Sequence, residues 1–578
     1  MVKYITLYDF KRLLAIALLL IAALVATPHA SQPTHKAKGP ARIGKHDSAL
    51  DDSIAKGKGK KDARESVIIR AVPGQRHALR AYLKAQGAHK IRAEHDLINA
   101  ITAEIPVAAL PALENSPFVA SVSLDAPLGA HQFAVTSAPA SLLRPALGLY
   151  STSPTGAGVG VAVIDSGIDP SPDFGTRITA FYDFTQGGVA IATAPYDDYG
   201  HGTHIAGLIG GSGASSLNGA YTGVAPQVNL IGLKVLTSTG AGSTSNVISA
   251  LQFATVNKVA LGIDVINLSL GHPPFEHAST DPLVQAVQQA VASGILVVVS
   301  AGNAGVNPTT GVPGFGGILS PGNAPAALTV GSINMQGTRK RSDDTVNKFS
   351  SRGPTWFDGF LKPDLVAPGY RLIAPAARGG TLARNYPSFL VAGTTSADAY
   401  LTLSGTSMAA GVASGVAALA IQANRTAFFS PRPPLRPNAI KAILEFTAFD
   451  LKDRVTGQKL IPLIQGAGGL NGHGALRLAS SIDTGTQRGQ TWLAMAIQTN
   501  SEIDEVITWT QALLWGNDIL WGDTIYVNRD AWGTDILWGD DILWGDASLW
   551  GADVLWGDDI LWGDTIVSAN SVGALNDD

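Results

Sequence analysis

Cysteine is absent from this sequence of 578 residues, which excludes disulfides, thiol nucleophiles, iron–sulfur clusters and cysteine-type zinc sites. Charge is also scarce: charged residues make up 15% and the net charge is −4, so a nucleic-acid partner is not expected. Hydrophobic residues make up 46%. That proportion is enough to bury a core, and the length of the chain indicates two to four domains.

Long hydrophobic runs are few. The run near the N-terminus, Leu13–Ala26, has 14 residues and follows a basic stretch, whereas a membrane span needs about 20. We interpret residues 1–30 as a signal peptide that is cut after Ala26 or Ala30, and the alternative is an uncleaved membrane anchor. The pattern therefore predicts a secreted or cell-surface protein with no permanent membrane span.

The rest of the chain divides into four segments before the tail. Residues 31–64 are polar and rich in Lys and Gly, which predicts a solvated linker. Residues 65–127 show the strand and helix patterns of a small α+β unit, and residues 128–145, which lack a clear period, are expected to form an exposed connector. From 146 to 480, apolar strands alternate with helical patterns. This alternation predicts a doubly wound parallel α/β sheet with helices on both faces, and active residues collect at the carboxyl ends of such strands.

Residues 481–578 form an acidic tail. Between 501 and 578 there are 16 Asp or Glu residues and one Arg, and the unit Trp-Gly-Asp-Asp-Ile-Leu repeats every six residues, except between Trp521 and Trp532. Six is a multiple of the strand period, so an unbroken extended run would place every Trp on one face. We weigh two hypotheses equally: a β-rich repeat whose Asp residues are ordered by divalent cations, and a flexible acidic segment.

Three short segments carry residues suited to nucleophilic catalysis. Asp165 ends the apolar strand pattern Val-Ala-Val-Ile-Asp, His201 opens a small-residue helix in Gly-His-Gly-Thr-His, and Ser407 starts an Ala/Gly-rich helix in Gly-Thr-Ser-Met-Ala. Each alone has a structural explanation as a turn residue, a buried histidine or a helix cap. Together, in the order Asp, His, Ser and each with a nearby Gly, they match the chain order of subtilisin.

These segments resemble those of the subtilisin family of serine endopeptidases, and the resemblance covers roughly 146–480. Ser300–Asn303 is similar to the family segment that supplies an Asn to the oxyanion hole. Residues 65–127 resemble the family's inhibitory propeptide. One departure follows the serine, where Gly411–Val412 stands in place of the usual Pro-His pair. Further similar segments are Lys234–Leu236, Ser269–Gly271, Phe349–Pro354 and Lys362–Gly369.

The resemblance implies a subtilisin-like fold and peptide-bond hydrolysis by an enzyme made as a zymogen. His201 would take the proton from Ser407, and Asp165 would fix the imidazole. The Asn303 amide and the Ser407 N–H would stabilise the oxyanion. Protein or peptide substrates and the chain's own propeptide are the expected partners. The chemistry requires no cofactor, and no cofactor-binding residue is identified.

The same region holds further titratable side chains. A structural role is expected for His204, since only one imidazole fits beside Ser407. We interpret Asp197 and Asp198, in a turn before His201, as solvated loop carboxylates, with calcium ligation as the alternative. The same two interpretations apply to Asp169 and Asp173. Members of the family often bind calcium, so a structural calcium ion is allowed, but no metal ligand is assigned.

Two other classes of function stay open at this point. A catalytically silent subtilisin-like scaffold would act as a surface-binding protein through its tail. Such a scaffold has no physical need for Asp165, His201, Asn303 and Ser407 together. A lipase or esterase is disfavoured because Ser407 is not part of a Gly-x-Ser-x-Gly motif.

Overall fold

The computed structural model describes residues 44–521 except 58–62, 87, 89, 131–132, 135–141, 308, 394–397, 488, 504 and 516–517. From Lys45 onward the described residues form one compact body. It has two parts, which we call the small unit and the larger unit. The expected signal peptide at residues 1–30 lies outside the described residues. So does most of the Trp-Gly-Asp tail, from residue 522 onward.

Residues 45–124 fold as a small α+β unit. Its four strands form an antiparallel sheet in the order β2-β3-β1-β4. One face buries Val67 and Ile69 against Leu79 and Leu83 of the second helix, as the alternation of a half-buried strand requires. The elements are α1 (Ser48–Gly57), β1 (Arg64–Ala71), α2 (Arg76–Ala85), β2 (Lys90–His95), β3 (Ala100–Pro106), α3 (Leu110–Glu114) and β4 (Val119–Leu124).

Helix α1 lies within the stretch 31–64, for which a solvated linker was expected. Asp47 precedes the helix, and its Oδ1 accepts a hydrogen bond from the Leu50 N–H at 2.7 Å. Leu50 is fully buried in the core of the small unit. The expectation is therefore wrong for residues 48–57, because one capping carboxylate and one apolar contact stabilise a helix that average composition does not reveal.

The larger unit contains a mostly parallel sheet of nine strands, several short strands and ten helices among the described residues. Its elements are β5 (Pro127–Ala130), β6 (Phe133–Ala134), α4 (Leu143–Ala146), β7 (Gly160–Asp165), β8 (Ile178–Asp183), β9 (Ile191–Ala192), α5 (His201–Gly210), β10 (Asn229–Lys234), β11 (Ala241–Ser243), α6 (Thr244–Val256), α7 (Lys258–Leu261), β12 (Ile263–Leu268), β13 (Leu270–Gly271), α8 (Pro282–Ala292), β14 (Leu296–Ser300), β15 (Leu328–Asn334), β16 (Thr345–Val346), β17 (Leu365–Pro368), β18 (Leu372–Pro375), α9 (Thr381–Asn385), β19 (Leu390–Ala392), β20 (Ala399–Ser404), α10 (Thr406–Thr426), α11 (Pro437–Phe446), α12 (Pro462–Gln465), α13 (Gly472–Ser481), β21 (Asn500–Ile503), β22 (Glu505–Thr508), β23 (Ala512–Trp515) and β24 (Asp518–Trp521).

The main sheet has the strand order β16-β15-β14-β12-β7-β10-β8-β9, and β17 also pairs with β15. All pairs are parallel except those of the edge strands β16 and β9. Along β7, Val161 and Val163 pack in the cluster that contains α5 and α10. Ala162 and Ile164 pack in the cluster that contains α6 and α8. Helices thus cover both faces, as the alternation predicted.

Helix α10 runs through the middle of the core. It continues without interruption through Gly411–Val412, where the sequence departs from the family pattern. By length and composition α10 could cross a membrane, but 94% of its apolar stretch is buried inside the protein. We therefore assign it as a core helix.

Residues 128–130 differ from the exposed connector expected for 128–145. β5 is the middle strand of a three-stranded sheet, between β11 and β13, and Leu128 is buried. The expectation failed there because four residues are too few to show a period. Their position depends on hydrogen bonds to strands more than 100 residues away in sequence.

The packed core continues past residue 480. Trp492, Trp509 and Leu513 are buried in the cluster that contains α5 and α10. β23 and β24 then form an antiparallel hairpin, with Trp515 opposite Asp518. The chain therefore reverses direction within the first repeat, so this stretch is not one unbroken extended run.

Candidate active site

Four candidate residues lie at the carboxyl edge of the main sheet. Asp165 is the last residue of β7, and Asn303 follows the end of β14 by three residues. His201 is the first residue of α5, and Ser407 is the second residue of α10. The chain crosses this edge wherever a strand ends, so parts of the chain that are distant in sequence meet there.

Asp165 and His201 form a buried pair. Nδ1 of His201 lies 2.8 Å from Oδ1 and 2.9 Å from Oδ2 of Asp165, and both side chains are fully buried. Because a carboxylate only accepts, Nδ1 carries the proton and donates it. Nε2 of His201 has no hydrogen-bond partner among the described residues. The pair therefore presents an imidazole nitrogen in the tautomer that a general base requires.

Ser407 is held against the strand segment that follows β12. Its Oγ donates to the Ser269 carbonyl at 3.2 Å, and the Ser269 Oγ donates to the Ser407 carbonyl at 3.0 Å. The Asn267 amide in turn donates to the Ser269 Oγ at 2.8 Å. From the sequence, Ser269 is only part of a segment that is similar to the family, Ser269–Gly271. The small polar residues that interrupt an apolar strand were the signal for a closer role.

The Asn303 carboxamide is oriented by the residue before Ser407. Its Oδ1 accepts hydrogen bonds from the backbone N–H and from the Oγ1 of Thr406, each at 3.0 Å. Because Oδ1 faces Thr406, the NH₂ group of the amide points away from Thr406. An amide donor beside a helix N-terminus can stabilise negative charge on a carbonyl oxygen that is attacked by Ser407.

His204 has a different environment from His201. Its Nε2 lies 3.1 Å from the Leu372 carbonyl and 3.0 Å from the Leu401 carbonyl, so it donates to both. Burial, followed by the nearby His201, lowers the pKa of His204 to about 3. His204 is therefore a neutral histidine that ties α5 to two strands, as expected from the sequence.

Asp197 is not the solvated carboxylate expected from the sequence. It is buried, and its Oδ1 accepts from the Gly200 N–H at 2.8 Å. Its Oδ2 accepts from the backbone N–H of Thr203 at 2.9 Å and from the Thr203 Oγ1 at 2.6 Å. Burial raises the pKa of Asp197. The residue caps the helix that begins at His201, whereas Asp198 keeps a side chain that is 44% exposed.

The other two acidic residues are also engaged by protein groups. Asp173 is fully buried, and its Oδ1 accepts from the Ser215 N–H at 2.8 Å and from the Tyr400 hydroxyl at 3.0 Å. Asp169 pairs with Arg378 at 3.1 Å. Within the described part of the chain, no group of three or more His, Asp or Glu side chains is arranged to hold a metal ion.

A strand of the same chain, β5, lies between β11 and β13, next to the Ser269 segment that contacts Ser407. We call the space between β11 and β13 the groove. In β5, Gly129 lies opposite Ala241 of β11 and opposite Gly271 of β13. Ala130 lies opposite Leu270, which directly follows Ser269. β5 is therefore an extended segment whose backbone is paired along both of its edges.

Comparison with known proteins identifies the family. The family profile described as Subtilase family (Peptidase_S8) matches residues 156–468. The chain is 40% identical over 322 residues to serine protease AprX of Bacillus subtilis (strain 168), covering 55% of this chain and 66% of AprX, just under two thirds of its length. It is 34% identical over 342 residues to subtilisin E of the same organism, covering 58% of this chain and 74% of subtilisin E.

A solved structure supports the fold. The crystal structure of fervidolysin from Fervidobacterium pennivorans, described as a keratinolytic enzyme related to subtilisin, superposes with a TM-score of 0.55 at 20% identity. The superposition covers 72% of this chain and 62% of fervidolysin. With the profile, the relatives and the geometry in agreement, the chain belongs to the subtilase family of serine proteases.

Proposed function

We propose that this protein is a secreted serine endopeptidase that is made as a zymogen and hydrolyses peptide bonds through an acyl-enzyme on Ser407. The observation that carries the proposal is the buried Asp165–His201 pair at the sheet edge where α10 presents Ser407. Secretion rests on the basic and apolar pattern of residues 1–30.

The proposed mechanism begins with proton transfer. A serine hydroxyl is a poor nucleophile near neutral pH, so the Ser407 hydroxyl leaves the Ser269 carbonyl and gives its proton to Nε2 of His201 as it attacks the substrate carbonyl. Asp165 stabilises the imidazolium that forms. The Asn303 amide and the Ser407 N–H stabilise the oxyanion.

Collapse of this intermediate completes acylation. The scissile C–N bond breaks, and His201 returns the proton to the leaving amine, which leaves an ester on Ser407. Water then attacks the ester with His201 as base, releases the acid product and restores the Ser407 hydroxyl. No cofactor enters either half of this reaction.

The zymogen proposal rests on how the small unit, residues 45–124, and the residue that follows it meet the larger unit. Asp125, which directly follows the small unit, accepts from the Ser245 N–H at 2.8 Å, near the start of α6. Leu97 donates its N–H to the Gln252 side chain at 2.9 Å. Ile68 and Ala100 pack in the same cluster as α6 and α8. These contacts support a prosegment role for the small unit.

The strand register suggests where the zymogen would be processed. On one side of the groove the pairing runs up to Ala130, next to Ser269, whose carbonyl receives the Ser407 hydroxyl. On the other side Phe133 lies opposite Ser404, three residues before Ser407. We infer that the bond cut by Ser407 lies between Ala130 and Phe133.

Substrates would bind as β5 does. Leu128 is buried among Leu236, Leu270 and other residues of the same cluster, and a Cβ on Gly242 would lie 3.4 Å from its Cδ1. We expect protein or peptide substrates in an extended conformation with a large apolar residue at this position.

Expression of the wild type beside Ser407→Ala tests the proposal. We expect a fluorophosphonate probe to label the wild type but not Ser407→Ala, and only the wild type to yield a product whose N-terminus lies between residues 131 and 133. Ser293→Ala is the matched serine control and should behave as the wild type. Ser293 lies between α8 and β14, at the amino-terminal edge of the sheet.

Two outcomes would overturn the proposal. Label that persists in Ser407→Ala would place the nucleophile elsewhere. A folded wild type that neither reacts with the probe nor cleaves casein would indicate the catalytically silent scaffold instead.

A further inference from the structure

Lys234 places a buried ammonium group on the strand next to the one that carries Asp165. It is the last residue of β10, where it lies opposite Asp165 in the parallel register. Its side chain is 1% exposed. Lysine is almost never fully buried without partners, so this position needs a physical explanation.

The ammonium group of Lys234 bonds three separate segments. Nζ donates to the Ser166 carbonyl at 2.6 Å and to the Leu236 carbonyl at 2.8 Å. It also donates to Oδ1 of Asp198 at 2.6 Å. Ser166 directly follows Asp165, and Asp198 precedes His201 by three residues. Leu236 lies in the segment between β10 and β11, and β11 forms one side of the groove. All three donors of the ammonium are therefore used.

The segments that Lys234 joins also contact one another next to the candidate triad. The Gly202 N–H, just after His201, donates to the Ser166 Oγ at 2.9 Å. The Asp165 carbonyl accepts from the Val235 N–H at 2.8 Å. A Cβ on Gly202 would lie 2.2 Å from the Gly167 carbonyl oxygen, so the two loops touch with no spare room.

We propose that Lys234 is a positioning residue whose ammonium group locks the loop carrying Asp165 to the loop carrying His201. It touches neither substrate nor the reacting atoms, and its effect on catalysis rests on the proposed peptidase function. Without the ammonium group, two buried carbonyls lose a donor and the Asp198 side chain loses its partner, so the two loops can move apart. Displacements near 1 Å cost about a hundredfold in rate.

Lys234→Met tests the proposal, because methionine keeps a long apolar side chain and removes the three donors. With a peptide substrate we expect kcat to fall about ten- to a hundredfold. We expect KM to change less than about twofold, because the backbone edges of β11 and β13 that pair with the substrate are kept. Asp198→Ala removes only the link to the His201 loop and should give a smaller fall in kcat.

Lys258→Met is the matched control. Its Nζ also donates to two backbone carbonyls, those of Ser293 and Gly294, at 2.8 and 2.7 Å. These two residues precede β14 and therefore lie at the amino-terminal edge of the sheet, opposite the edge that carries the candidate site. Kinetic constants like those of the wild type are expected for this variant.

A second measurement does not depend on peptidase activity. In the full chain carrying Ser407→Ala, the proton on Nδ1 of His201 should give a far-downfield NMR signal, assigned by its loss in His201→Ala. We expect Lys234→Met to weaken or abolish the signal and Lys258→Met to retain it. If the protein proves not to be a peptidase, this measurement still tests the role of Lys234.

The proposal is overturned if Lys234→Met keeps both kcat and the downfield signal. It is also overturned if KM rises while kcat stays the same, since Lys234 would then support the groove alone. If Lys234→Met does not fold, Asp198→Ala becomes the test. The proposal is then overturned if Asp198→Ala has the kcat and the downfield signal of the wild type.

Discussion

Two buried histidines one helical turn apart take opposite roles because their neighbours differ. His201 faces a carboxylate, which favours a proton on Nδ1 and stabilises the imidazolium. His204 faces two carbonyls, and burial lowers its pKa to about 3. The acceptor beside each ring, and not the residue type, distinguishes the proposed general base His201 from the structural His204.

The Asn303 amide gives the first prediction at this scale. Asn303→Ala should lower kcat about 10²–10³-fold, which is the loss known for removal of such a donor from a subtilisin, and should leave KM nearly unchanged. The cause is the loss of one donor to the oxyanion, with the Ser407 N–H retained. Steady-state kinetics on a peptide substrate measure it.

The control is Asn307→Ala, a change in the nearby loop that follows β14. The Asn307 Oδ1 accepts from the Thr309 and Thr310 N–H groups at 2.9 and 3.1 Å in that loop. A fall in kcat of similar size in both variants, or a rise in KM alone for Asn303→Ala, would contradict the assignment.

At the scale of elements, the docking of α1 brings acidic groups together. The Phe275 carbonyl accepts from the Ser48 N–H at 3.1 Å, which places Asp47 and Glu276 on facing segments. Burial, with smaller contributions from the charges of Asp281 and Asp47, raises the pKa of Glu276 to about 8. Burial also raises the pKa of Asp47 to about 6. The Arg70 guanidinium interacts electrostatically with Glu276.

A raised carboxyl pKa means that the docked state holds its proton more tightly than the undocked state. Docking of α1 should therefore be strongest at low pH, and it should weaken as the pH rises from about 4.5 to about 8. Hydrogen exchange of the Leu50 and Leu124 amides, both bonded to Asp47, measures docking in the full chain with Ser407→Ala.

Glu276→Gln should remove most of this dependence and keep α1 docked at pH 8. The matched control is Asp52→Asn, an exposed acid on α1, which should keep the wild-type pH response. Exchange at Leu50 and Leu124 that stays constant from pH 5 to pH 9, after correction for intrinsic rates, would refute the prediction.

At the scale of the whole molecule, the C-terminal region is part of the folded core up to the first repeat. Trp509 and Leu513 are buried in the main cluster, and the Leu514 N–H donates to Oε2 of Glu445 at 2.8 Å. Burial of each large apolar side chain is worth about 1.5–3 kcal/mol. These contacts join residues after 500 to helix α11.

Two truncated chains test this, both carrying Ser407→Ala to prevent autolysis. The chain that ends at Thr499 should unfold at a lower temperature than the chain that ends at Trp521, because it loses Trp509, Leu513 and the bond to Glu445. Differential scanning calorimetry gives both midpoints. Equal midpoints would mean that the C-terminal contacts contribute nothing to stability.

The sequence pattern predicted structure correctly where that structure depends on neighbouring residues. The strand ending in Asp165 and the helix starting near Ser407 follow from apolar runs and from a small-residue helix start. The alternation of strands and helices likewise predicted the sheet with both faces covered. The sequence pattern gave wrong predictions for residues 48–57, for residues 128–130 and for Asp197, because the structure of these residues depends on distant partners.

The sequence by itself determined which groups can do the chemistry and in what order they occur, because side-chain identity and the short apolar runs that place Asp165, His201 and Ser407 at element ends are local properties. Only the tertiary structure decided that Asp197 is a buried helix cap, that β5 fills the groove, and that Lys234 joins two loops. Burial and strand pairing are created when segments far apart in sequence meet, and no local pattern encodes them.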